Sequence, residues 1–131
     1  NRRHTYHHTH PKDERLARHY YWADEAPTYN DEMLTRINEH FAIDTVVTHT
    51  SPSFCQLLSK RGLLSFAVSD DSLLTDVEAE RNTMTDLYNR LVHDAHPLSH
   101  WFYGHFHQSW HNSIESVLFT MLDIMEFREV Y

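Results

Sequence analysis

Three histidines follow apolar stretches of the chain at points where a strand would end. His49 closes the run VVTH, and His105 and His107 lie one residue apart in WFYGHFH, directly after Gly104. In extended backbone, alternate side chains point to the same face, so both rings of an H-x-H pair would face one site. Histidine is the commonest metal ligand in proteins, and neutral imidazole suits transition metals better than Mg or Ca. The spacing therefore indicates that His49, His105 and His107 are ligands of one transition-metal ion or of two adjacent ones.

An incidental origin for these histidines is the alternative. The chain carries 13 histidines in 131 residues, so an H-x-H pair also arises by chance. On that interpretation the chain is a non-catalytic, histidine-rich metal-binding or self-associating interaction module. The basic, histidine-rich residues 1–19 lack a helical or strand period, and we expect them to form a flexible loop.

Two short apolar runs have to position the three histidines. IDTVVTH (43–49) is rich in β-branched residues and HWFYGHFH (100–107) in aromatic residues, and both patterns predict buried strands. We expect IDTVVTH and HWFYGH to be adjacent strands of one sheet. In open α/β sheets, ligands bind beyond the carboxyl ends of the strands, where these histidines would lie. Gly104 would let the backbone turn sharply at the end of the second strand.

Two amphipathic helices accompany these strands. Residues 26–42 predict a short helix, and residues 69–96 predict a long one whose charged residues, Arg81 among them, form a solvated face. The candidate N-terminal caps are Thr28 or Asn30 for the first helix and Asp70, Asp71 or Ser72 for the second. The apolar faces would consist of Met33, Leu34, Ile37 and Phe41 in the first helix and of Leu74, Val77, Met84, Tyr88, Leu91 and Val92 in the second. The long helix would end at His96-Pro97.

The order of these elements predicts the fold class. A helix that feeds a buried strand, as residues 26–42 feed residues 43–49, is typical of an α/β layer. Residues 116–131 are apolar and would add one or two antiparallel strands. We therefore expect an α/β fold with a mixed sheet and flanking helices in a single domain.

Composition argues against several classes of protein. The formal net charge of −8 argues against a general nucleic-acid binder, because neutralising phosphates takes an excess of Lys and Arg. The sequence has no run of 18 apolar residues, and it therefore predicts no membrane span. The single cysteine, Cys55, rules out an internal disulfide framework and favours a reducing, cytoplasmic location. We interpret Cys55 as a packing residue, not a nucleophile.

The motif GHFH occupies residues 104–107 after an apolar strand, and VVTHTSP lies upstream at 46–52. Together they resemble the C-terminal half of the calcineurin-like metallophosphoesterases. YYWADEAP at residues 20–27 is similar to the segment that precedes that half in prokaryotic members. The resemblance implies a four-layer αββα sandwich and hydrolysis of phosphate mono- or diesters by metal-activated water. It implies two divalent Mn, Fe or Zn ions per complete enzyme. His49 and His105 would bind one metal ion, and His107 would bind the other.

The chain departs from that family in the motifs it lacks. The family's remaining ligands come from D-x-H, G-D-x-x-D-R and G-N-H-E or G-N-H-D, yet the two glycines here are followed by Leu63 and His105. The one D-x-H, Asp94-Ala95-His96, follows a helix and is interpreted as its C-terminus. We therefore expect residues 1–131 to be the C-terminal part of a single metallophosphoesterase domain, inactive alone. Its catalytic residues stay unassigned. Its partners would be a phosphoester substrate and an N-terminal half, with self-association through uncovered apolar surface as a further possibility.

Overall fold

The computed structural model describes residues 26–55, 73–105 and 108–130. The loop expected at residues 1–19, the capping candidates Asp70, Asp71 and Ser72, and the side chain of Leu74 lie outside the described residues. Within the described ranges the chain forms two helices and four strands. The helices are α1 (Asp31–His40) and α2 (Leu73–His93), and the strands are β1 (Thr45–Thr48), β2 (His100–Tyr103), β3 (Trp110–Ile114) and β4 (Val117–Met121).

The four strands form one mixed sheet in the order β1-β2-β4-β3. β1 pairs with β2 and β2 with β4 in parallel, whereas β3 and β4 form an antiparallel hairpin. The expected α/β fold with a mixed sheet and flanking helices is confirmed. The region expected to hold one or two antiparallel strands contains β4, whose parallel neighbour is β2. Its antiparallel partner is β3, a largely polar strand that the sequence analysis missed because its residues do not alternate between apolar and polar.

The helix α1 begins where its capping residue predicts. The side chain of Asn30 accepts a hydrogen bond from the backbone N–H of Met33 at 2.9 Å, which satisfies one of the free donors of the first turn. The expected apolar face is only half right. Leu34 and Ile37 are half-buried, but Met33 and Phe41 remain 58% and 65% exposed. α1 therefore lies at the periphery of the described core.

An arginine of α2 ties the two helices together. Arg90 pairs with Asp31 of α1, donates to the hydroxyl of Thr35 at 2.9 Å, and binds Asp94 at 2.7 Å. The Arg90 side chain is 18% exposed and that of Asp94 10%, so this ion pair is shielded better than a pair on the open surface. The network is a polar link between α1 and α2.

The apolar face of α2 covers one side of the sheet. Its predicted core residues Val77, Met84, Tyr88 and Leu91 are buried, but Val92 is 46% exposed. Tyr88 packs against two fully buried aromatic residues of the sheet, with ring centroids 6.3 Å from Trp101 and 5.9 Å from Phe119. Aromatic side chains bury large areas, and these contacts form the centre of the described core.

The strand β2 is buried on both faces. Trp101 and Tyr103 face α2, and Phe102, which points to the opposite side, is also only 7% exposed. Parallel strands inside a sheet are commonly covered on both sides, and they read as continuous apolar runs. β1 lies at the edge of the described sheet, where Val47 is 74% exposed.

α2 ends in a two-bond capping motif with alanine in the left-handed region. Ala95 has φ 58°, its N–H donates to the carbonyl of Val92, and the N–H of His96 donates to the carbonyl of Leu91. This pair of bonds is the Schellman arrangement, which usually places glycine at the left-handed position. The interpretation of Asp94-Ala95-His96 as a helix C-terminus is confirmed.

We expect Ala95→Gly to raise the free energy of unfolding by about 0.5–1 kcal/mol, because glycine adopts a positive φ without the penalty that a Cβ imposes. Urea denaturation monitored by circular dichroism measures the change. Ala79→Gly, at an exposed position inside the same helix, is the control and should lower stability by about 1 kcal/mol. Equal losses in both variants would contradict the left-handed cap.

Candidate metal centre

His49 and His105 follow neighbouring parallel strands at the same edge of the sheet. Thr48 pairs with Tyr103 as the last residues of β1 and β2, and one residue further the N–H of Gly104 donates to the carbonyl of His49 at 3.2 Å. The backbone pairing thus continues past both strands. The prediction that IDTVVTH and HWFYGH are adjacent strands is confirmed.

The two imidazole rings meet edge to face. Nδ1 of His105 lies 2.6 Å from Nε2 of His49, and the ring centroids are 4.6 Å apart with an interplanar angle of 80°. At that distance one nitrogen donates a hydrogen bond and the other accepts it. His49 is exposed and His105 half-buried, so an ion or ligand can approach from solvent.

The sharp turn falls on His105 and not on Gly104. His105 has φ 67°, in the left-handed region, while Gly104 does not have a positive φ. A Cβ added at Gly104 would lie 4.0 Å from the carbonyl oxygen of Leu122, which is an ordinary contact. The expectation that Gly104 supplies the turn is therefore wrong. The strain at His105 is of the kind that functional sites often contain.

The two nitrogens are closer together than two ligands of one metal ion would be. Ligands of a tetrahedral zinc ion at about 2.0–2.1 Å are about 3.3 Å apart, so the rings would need to separate by less than about 1 Å. The predicted third ligand, His107, lies outside the described residues. Among the residues that are described, no three His, Cys, Asp or Glu side chains gather into a metal-binding group. The described centre is thus a histidine pair, and its role as a metal site stays a prediction.

The D-x-H of the sequence, Asp94-Ala95-His96, has a structural role. Nδ1 of His96 accepts the backbone N–H of Ile43 at 3.0 Å, just before β1, and Asp94 pairs with Arg90. These contacts join the end of α2 to the entry of β1. His96 is therefore part of the support of β1 and lies apart from the histidine pair.

The loop after His49 is held by an arginine that the sequence analysis assigned to the solvated face of α2. Arg81 is half-buried and donates to the carbonyl oxygens of Pro52, Ser53 and Cys55. Burial lowers the pKa of the Arg81 guanidinium from its ordinary value. Helical spacing alone could not reveal this role, because the loop carbonyls come from a distant part of the sequence. Arg81 clamps residues 52–55 onto α2.

A carboxylate on the other side holds the segment that follows the H-x-H motif. Glu126 accepts hydrogen bonds from the hydroxyl of Ser109 at 3.1 Å and from the N–H of Asp123 at 2.9 Å, and it pairs with Arg128 at 2.8 Å. The bond from the Asp123 N–H is the main cause that lowers the pKa of Glu126. Ser109 directly precedes β3. Ser109 is thus held to Glu126, in the segment that follows β4.

Comparisons with known proteins add no relative. No protein-family model matches the chain, and neither the curated proteins nor the solved structures contain a significant match. Over the described residues, neither helix has the length and apolar character needed to cross a membrane.

The thiol of Cys55 is fully buried. Burial raises its pKa to about 12, and the nearby Arg81 cation opposes that rise only in part. At neutral pH the group is a neutral thiol inside the core, as expected for a packing residue.

We expect a thiol reagent such as DTNB to modify native Cys55 only slowly at pH 8, and the same thiol to react at once in urea. Ser116→Cys places a second thiol at an exposed position of the β3–β4 turn and serves as the internal control. One equivalent should react rapidly and the other slowly. Equal rates for both thiols in the native chain would show that Cys55 is accessible.

Proposed function

We propose that residues 1–131 form the C-terminal portion of a two-metal phosphoesterase of the calcineurin-like type. The observation that carries the proposal is the meeting of His49 and His105 beyond the carboxyl ends of adjacent parallel strands. The resemblance assigns these two residues to one metal ion, and their imidazole nitrogens are 2.6 Å apart, within about 1 Å of the separation of two ligands of one zinc ion. In this proposal His107 binds the second metal ion, and the sheet belongs to a four-layer αββα sandwich.

The chemistry divides between the metal ions and the chain. Two divalent Mn, Fe or Zn ions, when bound, supply a deprotonated water and neutralise charge on the phosphoryl oxygens of a phosphate mono- or diester. His49 and His105 contribute neutral nitrogen ligands, and the bonds that surround them hold both rings at the open edge of the sheet. The remaining ligands would come from a D-x-H that follows the family's first strand and from G-D-x-x-D-R and G-N-H motifs. Residues 1–131 contain neither glycine-led motif, and the one D-x-H of this chain lies at the end of α2. We therefore propose that this chain is inactive alone and that the complete enzyme works in the cytoplasm.

A histidine-rich, self-associating interaction module is the second candidate function. The segment after β4 favours it, since four large apolar side chains there are more than half exposed. They are Ile124, Met125, Phe127 and Val130. Val47 on the edge strand β1 adds to the exposed apolar surface. Such a surface suits contact with another polypeptide, either an N-terminal half or a second copy of the chain.

The first test is metal binding by the histidine pair. We expect the chain to bind Zn²⁺ in isothermal titration calorimetry, and His49→Ala or His105→Ala to weaken binding at least about tenfold. Even residues that only support a metal ligand typically account for 10–100-fold in affinity. His111→Ala, at an exposed histidine of β3, is the matched control and should leave the affinity unchanged. Unchanged Zn²⁺ affinity in both site variants would show that His49 and His105 do not bind the metal ion.

The second test is catalysis. With Mn²⁺ or Zn²⁺ supplied, residues 1–131 should show negligible hydrolysis of a nitrophenyl phosphate ester, because the ligands that bridge two metal ions are missing. Adding a segment that bears the three missing motifs should produce chelator-sensitive turnover, which His105→Ala or His107→Ala should abolish. Chelator-sensitive turnover by the chain alone, or full activity of the completed enzyme carrying both substitutions, would contradict the proposal. A chain that binds no metal and sediments as an oligomer would favour the interaction module.

A further inference from the structure

Thr48, the last residue of β1, makes two side-chain hydrogen bonds, one with Trp101 of β2 and one that spans His49. Its hydroxyl oxygen lies 2.8 Å from Nε1 of Trp101 and 2.5 Å from the carbonyl oxygen of Thr50. The indole N–H can only donate and the carbonyl can only accept, so the direction of both bonds is determined. The Thr48 hydroxyl therefore accepts from Trp101 and donates to Thr50.

The bond from Thr48 to the Thr50 carbonyl closes a local turn around His49. A side-chain hydroxyl that binds a carbonyl two residues along the chain restricts the backbone between them. His49 is the residue between them, and its own carbonyl accepts the N–H of Gly104 at 3.2 Å. The backbone on both sides of His49 is thus held, which leaves mainly the side-chain torsions to orient the ring.

Trp101 anchors this turn to the core. Its side chain is fully buried and packs against Tyr88 and Phe119 with ring centroids 6.3 Å and 5.8 Å away. Trp101 also belongs to β2, the strand that leads directly to His105. A bond from Trp101 to Thr48 therefore aligns the turn at His49 with the strand that carries its partner.

We infer that Thr48 and Trp101 are positioning residues that set the approach of the His49 ring to His105. The inference deepens the proposed function and rests on it only for the metal ion. The contact between the two rings is a feature of the described residues themselves. The relay from Trp101 through Thr48 to the Thr50 carbonyl holds His49 in the orientation that brings Nε2 to Nδ1 of His105.

The experiment compares Thr48→Val with Thr48→Ser. Valine keeps the β-branched shape and removes the hydroxyl, whereas serine keeps the hydroxyl and removes the methyl group. The readouts are the through-space NMR contact between the His49 and His105 rings without metal, and Zn²⁺ affinity by calorimetry. Thr83→Val removes a hydroxyl that binds the Ala79 carbonyl within α2, and it controls for threonine loss elsewhere.

We expect Thr48→Val to lose the ring contact and to weaken Zn²⁺ binding roughly tenfold or more, a typical loss when support for a metal ligand is removed. Thr48→Ser and Thr83→Val should keep both. Ring contact and affinity that stay at wild-type levels in Thr48→Val would overturn the inference. If the wild-type chain binds no Zn²⁺ but Thr48→Val alone loses the ring contact, the positioning role stands and the metal proposal fails.

Two further measurements cover a valine variant that does not fold. Thr48→Ala and Thr48→Ser both lack the methyl group and differ only in the hydroxyl, so the ring contact should persist in the serine variant alone. In the wild-type chain, the indole N–H of Trp101 should show a through-space contact with the Thr48 side chain. Absence of that contact would refute the relay whatever the variants do.

Discussion

The parallel pairing of β1 with β2 is the interaction on which the described structure depends. The register pairs Thr48 with Tyr103 and places His49 and His105 beyond the ends of adjacent strands. In parallel strands a shift of one residue would turn every side chain to the other face of the sheet, and the two rings would part. The Gly104-to-His49 backbone bond and the Trp101-to-Thr48 bond both act across this pair. The register is therefore the condition for the histidine pair.

The helix α2 supports that pairing from one face of the sheet. It buries Met84, Tyr88 and Leu91 against the aromatic side chains of the strands. The same helix also supplies Arg81, whose guanidinium binds three carbonyl oxygens of the loop after His49. A half-buried arginine needs hydrogen-bond acceptors for its charge, so the loop and the helix stabilise each other.

The left-handed backbone conformation is adopted in the described residues by amino acids other than glycine. Among the described residues Ala95, His105, Glu115 and Met125 have positive φ. Each such residue costs about 1–2 kcal/mol relative to right-handed backbone, and surrounding bonds must offset it. Glu115 has one such bond: its carboxylate accepts a hydrogen bond from the hydroxyl of Tyr88 at 2.9 Å. At His105 the strained residue is itself a member of the candidate site.

Local patterns in the sequence determined the two helices and the strands β1 and β2, and they singled out His49 and His105. Capping residues, 3.6-residue periodicity and β-branched or aromatic runs are signals that act over a few residues. Tertiary structure alone decided the parallel partner of β4, the clamp by Arg81 and the relay through Thr48. These depend on contacts between residues more than 15 positions apart, for which a single sequence carries no local signal. The left-handed turns at Ala95 and His105 were also hidden, because neither position holds the glycine that usually signals a positive φ.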